Sequence, residues 1–152
     1  MRNIMENILF VKKRLEALRK EMSERDMDAV LIEKRENYIY MSDFTGTLAH
    51  LLITHDKSVL ITDSRYTGQA SIQAKNYEIV EFKGSAAPCI ANFLNSEHIK
   101  RLGFEENNIT YKRFAKYEEK FGVQLIPLDN LIEDQRLIKD SMEIELLTKA
   151  VE

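Results

Sequence analysis

The apolar positions divide the chain into segments of two kinds. Ile8, Val11, Leu15, Leu18 and Met22 recur at spacings of three and four, which puts one apolar stripe on a helix. Asn3 with Glu6 forms a capping-box pattern, and Asn7 is an alternative start. Lys12 with Glu16, Glu16 with Lys20 and Glu21 with Arg25 stand at i,i+4 on the other face, so the helix runs to near Asp26. Residues 29–32 are wholly apolar and predict a short buried strand. Residues 35–41 predict a short helix or turn bearing Tyr38 and Tyr40. The apolar runs 51–54 and 59–62, split by His55-Asp-Lys-Ser58, read as a hairpin. Asp63 or Ser64 then caps a helix to Ala74, because their short oxygens accept orphan backbone N–H groups.

Farther on, residues 77–82 alternate, with Tyr77 and Ile79 on one side and Val80 and Phe82 on the other. Residues 84–88 form a break, followed by a helix over 90–94 and a strand over 101–104. Phe114, Tyr117 and Phe121 share a face of a helix over 111–121, with Gly122 in the position of a helix C-cap. A last strand over 123–126 is closed by Pro127. Asp140-Ser-Met-Glu143 is a second capping box, with Ile144, Leu147 and Val151 as an apolar stripe behind it. Such a helix needs a surface to pack on. It either folds back on its own domain or begins a second one. Strands alternating with helices predict an α/β fold: a mixed sheet of about six strands with helices on both faces.

Composition narrows the class of partner. The chain has 152 residues, 44% hydrophobic and 31% charged, enough for the core of one domain or of a domain with an appendage. A net charge of −3 argues against a nucleic-acid surface. Lys112, Lys116 and Lys120 share a helical face, but Glu118 and Glu119 lie among them, so that face reads as solvated charge. Cys89 is the single cysteine, which rules out an internal disulfide and suggests a reducing, cytoplasmic setting. The N-terminus has no signal-peptide core, and no apolar run approaches the roughly 20 residues that span a membrane.

Candidate chemistry concentrates in residues 37–66. His50, His55 and His98 show no zinc-ligand spacing. No serine sits in a nucleophile elbow, and the five glycines are isolated, so no phosphate-cradling loop exists. Asp63 reads as a helix cap. Arg65 suits either a structural ion pair or a substrate carboxylate. Tyr38, Tyr40 and Phe44 read as core aromatics, and a lone His50 reads more readily as a hydrogen-bonded structural residue than as a ligand donor. No set here makes an acid, a base and a nucleophile.

The motifs nonetheless resemble those of a family. Asn37-Tyr-Ile-Tyr-Met-Ser-Asp-Phe-Thr-Gly-Thr47, then Leu51-Leu-Ile-Thr54, then Thr62-Asp-Ser-Arg-Tyr66 are similar to the creatinase/prolidase N-terminal domain. Glu78-Ile-Val-Glu81, Leu102-Gly-Phe-Glu105, Ile126-Pro-Leu128, the run from Leu131 to Asp140 and the run from Glu143 to Ala150 follow in the same order. The chain departs from that pattern at Asp43, where glycine is common, at Thr47 in place of serine, and at His50 in place of a small or apolar residue.

The resemblance implies a creatinase N-terminal domain with a ribonuclease H-like sheet over residues 1–132. Residues 133–152 would be the linker and first helix of a C-terminal metallopeptidase domain. The parent enzyme would be a cytoplasmic Xaa-Pro aminopeptidase or dipeptidase. Two divalent metal ions (manganese, cobalt or zinc) would be bound by that other domain, and this chain would hold no catalytic residue and no metal ligand. A homodimer acting on proline-containing peptides is implied, with Phe44, Thr45, Thr47 and His50 at the rim of the active site, in the neighbouring subunit's case in trans. Arg65 and Tyr66 would serve assembly or a carboxylate contact. A non-catalytic peptide- or protein-binding module is the alternative. A free-standing nucleotide-binding domain lacks its glycine-rich loop.

Overall fold

The computed structural model describes residues 3–138 and 141–151. In chain order the elements are α1 (Ile4–Glu24), β1 (Ala29–Ile32), α2 (Arg35–Ser42), β2 (His50–Thr54), β3 (Ser58–Thr62), α3 (Thr67–Gln73), β4 (Glu78–Glu81), α4 (Ala86–Ser96), β5 (Arg101–Phe104), α5 (Tyr111–Phe121), β6 (Gln124–Pro127), α6 (Leu131–Leu137) and α7 (Ser141–Val151). The strands form one sheet in the order β4-β3-β2-β1-β5-β6. β2 runs antiparallel to β1 and to β3, and the other pairings are parallel. β1, β3, β4, β5 and β6 therefore end at the same edge of the sheet, where β2 begins.

Alternation along the strands divides the core between two faces. Val30, Ile32, Leu51, Ile53 and Leu60 pack with α1, α2 and Tyr77 on one side. Ala29, Leu31, Leu52, Val59 and Ile61 pack with α4 and α5 on the other. Because the central strands are covered on both sides, they read as unbroken apolar runs. In the predicted strand over 77–82, Tyr77 and Ile79 join the first cluster and Val80 and Phe82 the second. The mixed six-stranded sheet with helices on both faces matches the expected fold class.

The caps set the helix boundaries, and one of them moved. Asn3 caps α1, its side chain accepting from the Met5 N–H. Thr110 caps α5, and Gly122 ends it at φ 61°, a left-handed conformation that glycine adopts without a Cβ penalty. α4 begins at Ala86, four residues before the expected start, because Ser85 accepts from the Ala87 N–H and Pro88 falls within the first turn, where its missing N–H has no helical partner to lose.

Asp63 is not a helix cap. α3 starts at Thr67 behind Tyr66 with no side-chain cap. The Asp63 carboxylate accepts instead from the Arg65 N–H and guanidinium, closing a turn in which the Tyr66 N–H donates to the Asp63 carbonyl.

α6 was absent from the expected elements. Leu131 and Ile132 are buried on the first face of the sheet, so the division drawn after residue 132 falls inside a continuous helix. α7 carries Ile144, Leu147 and Val151 exposed. The capping role expected of Asp140 lies outside the described residues.

Candidate functional site

Two polar assemblies occupy the edge of the sheet where β1, β3 and β5 end and β2 begins. In parallel sheets this edge is the usual place for ligands. The first assembly is the loop around Gly46, held by α2. The Tyr38 hydroxyl donates to the Gly46 carbonyl at 2.6 Å, and the Arg35 guanidinium donates to the Thr45 carbonyl at 2.8 Å. Ser42 links the Tyr38 carbonyl to the Phe44 N–H. Asp43 ends α2 at φ 67°, the left-handed region, which gives a backbone reason for glycine at that position in the family pattern.

Phe44 lies under this loop, 0% exposed, with Tyr38 and Tyr66 rings each 6.1 Å away. A Cβ on Gly46 would stand 2.2 Å from the Phe44 Cζ, so the loop can close over the ring only with glycine there. Phe44 is thus the floor of the loop, buried beneath the exposed residues expected with it at a substrate rim.

Thr45 and Thr47 are exposed. Thr45 is bound through its N–H and hydroxyl to Gln73, and Gln69 reaches the same hydroxyl. The Thr47 hydroxyl meets the Tyr66 hydroxyl. Arg65 lies over the Tyr66 ring at 5.1 Å with its side chain 67% exposed, while Asp63 holds its Nε and one terminal nitrogen. The guanidinium beside Asp63 holds that carboxyl below its ordinary value.

His50 does not join this group. Its ring turns to the opposite face of the sheet, edge-on to Phe82, and it is 7% exposed.

His50 belongs to the second assembly, which centres on two glutamates that directly follow neighbouring parallel strands. Glu33 follows β1. One of its oxygens accepts from His50 Nδ1 at 2.6 Å, from the Tyr117 hydroxyl at 2.8 Å and from the Arg113 guanidinium. Burial alone would raise its pKa, but the His50, Arg113 and Tyr117 contacts outweigh that and hold the carboxyl below its ordinary value. The same surroundings, burial first, push the Tyr117 hydroxyl up.

Glu105 follows β5 and accepts from the Glu33 and Lys34 N–H groups and from Asn37 Nδ2. Here burial dominates, and its pKa is raised despite those donors. Asn37, on α2, also donates to Glu133 and accepts from Arg136, both on α6.

Sequence reasoning gave Glu33, Glu105, Asn37 and Glu133 no role. A signal was present: Glu33 and Glu105 each stand one residue after an apolar strand, and paired parallel strands bring such residues together.

The chemistry these groups support is structural and recognitional. The Glu33 and Glu105 carboxylates each accept from several donors, which ties them to the fold. Among the described residues no cluster of three or more His, Cys, Asp or Glu could hold a metal ion. The residues here do not fit a two-metal centre. No described helix is long and apolar enough to cross a membrane.

Residues 14–138 match the creatinase/prolidase N-terminal domain. The chain belongs to that family. It is 41% identical over 138 residues to the uncharacterized peptidase YqhT of Bacillus subtilis (strain 168), covering 90% of this chain and 39% of that protein. It is 31% identical over 147 residues to an Xaa-Pro dipeptidase of Pyrococcus furiosus, covering 93% of this chain and 40% of the other. Among solved structures, an Xaa-Pro dipeptidase from Bacillus anthracis superposes with a TM-score of 0.85 at 35% identity, over 97% of this chain and 39% of that one. The chain therefore spans about two-fifths of the length of these relatives. It corresponds to their creatinase-type N-terminal domain.

Proposed function

We propose that this chain is the non-catalytic N-terminal domain of an Xaa-Pro metallopeptidase of the aminopeptidase P or prolidase type. The superposition on two-fifths of the Bacillus anthracis Xaa-Pro dipeptidase carries the reading. The parent protein is a cytoplasmic homodimer that hydrolyses the bond preceding proline, with two divalent ions (manganese, cobalt or zinc) held by its C-terminal domain. Residues 1–132 are the N-terminal domain. Residues 133–152 lead into the catalytic one, a connection that begins within α6, whose Leu131 and Ile132 are held on the sheet. The exposed hydroxyls of Thr45 and Thr47 border the active site. Arg65 and Tyr66, beside them, serve assembly or a substrate carboxylate. Phe44 and His50 support these groups from within.

The direct test is an assay on Xaa-Pro dipeptides and longer Xaa-Pro peptides with added manganese or cobalt. The 152-residue chain should show no turnover and the full-length protein should show it; hydrolysis by this chain alone would overturn the reading. The rim has its own test. Thr47→Val removes an exposed hydroxyl while keeping the shape of the side chain. In the full-length protein it should raise KM several-fold, roughly what one lost hydrogen bond supplies, with kcat and metal content little changed. An unaltered KM would leave the Gly46 loop without contact to substrate.

A further inference from the structure

The two assemblies of the sheet edge are joined through α2, on which Asn37 stands. Asn37 is 0% exposed, and both its amide N–H groups and its oxygen are engaged by three partners. Nδ2 donates to Glu105 Oε1 at 2.7 Å and to Glu133 Oε1 at 2.9 Å, and Oδ1 accepts from the Arg136 guanidinium at 3.1 Å. Two acceptors and one donor leave the amide a single orientation. Glu105 anchors it to β5, while Glu133 and Arg136 lie on α6. Asn37 itself lies on α2, whose Arg35, Tyr38 and Ser42 hold the Gly46 loop. α2 is therefore a short strut that holds the loop from residues 35, 38 and 42, one helical face by spacing, and α6 from residues 37 and 40 on another. Its side is braced where Arg14 donates to the Tyr40 carbonyl and Gln135 to the Arg14 carbonyl.

We infer that Asn37 is a positioning residue, the joint through which α6 and the Gly46 loop are held in fixed relation. The inference deepens the rim reading above, since the loop it steadies is the proposed rim. Only a neutral donor suits the joint. Glu105 and Glu133 both present oxygen to the same amide, and Arg136, Lys34 and Glu33 complete the charged groups around them. An aspartate at residue 37 would set a third carboxylate among them and supply no donor until a proton was taken up.

Amide hydrogen exchange on the 152-residue chain tests this without any peptidase activity, so failure of the peptidase reading would leave the result intact. At pH 7, N37D should lower the protection of α6 and the Gly46 loop together by about tenfold or more, while β2 and β3 stay within about threefold of wild type. As pH falls into the carboxylate range, entered above the ordinary value because neighbouring carboxylates hold the proton more tightly, protection of α6 should return part of the way toward the wild-type value measured at the same pH, because a bound proton restores one of the two lost donors. N37A should show the same local loss with no such return. Uniform loss across α6, β2 and β3 would make Asn37 an ordinary core residue and overturn the inference. Unchanged protection of α6, or a return in N37A as well, would also overturn it. Should N37D fail to fold at pH 7, N37A and E133A carry the test: each should loosen α6, and the double variant should loosen it no further than either alone.

Discussion

Phe44→Ala is expected to cost the domain about 3–5 kcal/mol, the range for removing a fully buried aromatic ring. Phe44 is among the largest side chains that are wholly enclosed. Its loss also removes the aromatic contacts with Tyr38 and Tyr66, each 6.1 Å between centroids. The loop above can recover part of this by sinking into the space, which sets the spread within the range. Urea unfolding should show the midpoint falling with the slope unchanged. A loss under about 1 kcal/mol would mean that the loop collapses freely and the ring anchors nothing.

Gly46 gives an internal control. A methyl at residue 46 meets the Phe44 ring at 2.2 Å, so Gly46→Ala alone should be strongly destabilising. In the Phe44→Ala background the clash disappears, and the double variant should lose far less than the sum of the two singles.

Glu33→Ala is the second large effect, about 3 kcal/mol, near the low end for breaking a buried ion pair. It removes the acceptor of His50, Tyr117 and Arg113 at once. His50 is buried and is left without its partner, whereas the Arg113 side chain is 39% exposed and recovers water, which keeps the loss near the bottom of the range. The contribution depends on pH in a definite sense. The folded protein holds the Glu33 carboxyl below its ordinary value, so between the two values the unfolded chain binds more protons and stability rises with pH. The contribution is complete above the ordinary glutamate pKa, about 4.3, and is lost as pH falls through the native one.

Glu105 acts in the opposite sense. Its native pKa is raised, so it binds the proton more tightly when folded and subtracts stability as pH rises from the ordinary value through the native one. Stability against pH should therefore lose part of its acid-side fall in Glu33→Gln and gain a steeper one in Glu105→Gln. Identical profiles for the two variants would show that the two neighbours do not differ in ionisation.

Much of this domain is written in local pattern. The strands of residues 29–32, 51–54 and 59–62 were legible because sheets covered on both sides need near-continuous apolar runs. α1 and α5 were legible because their stripes recur at helical spacing, and Gly122 marked an end that only a left-handed residue makes well. The ordered motifs from Asn37 onward pointed to the family that the comparison confirms.

The candidate site was less legible, because its residues are chosen by partners far along the chain. Asp63 has the composition of a cap, but Arg65 two residues on takes its carboxylate and the helix starts later. Phe44 and His50 sit among hydroxyls and a glycine, as binding residues do, yet one closes the core beneath the loop and the other turns to the opposite face to meet Glu33. The sequence by itself determined the order of strands and of the helices other than α6, and the family, since both rest on periodicity and on neighbouring residues. Only the tertiary structure decided which polar groups are spent on the fold. Glu33 finds partners at residues 50, 113 and 117, and Asn37 at residues 105, 133 and 136, because parallel pairing of β1 with β5 brings those distant segments to one edge.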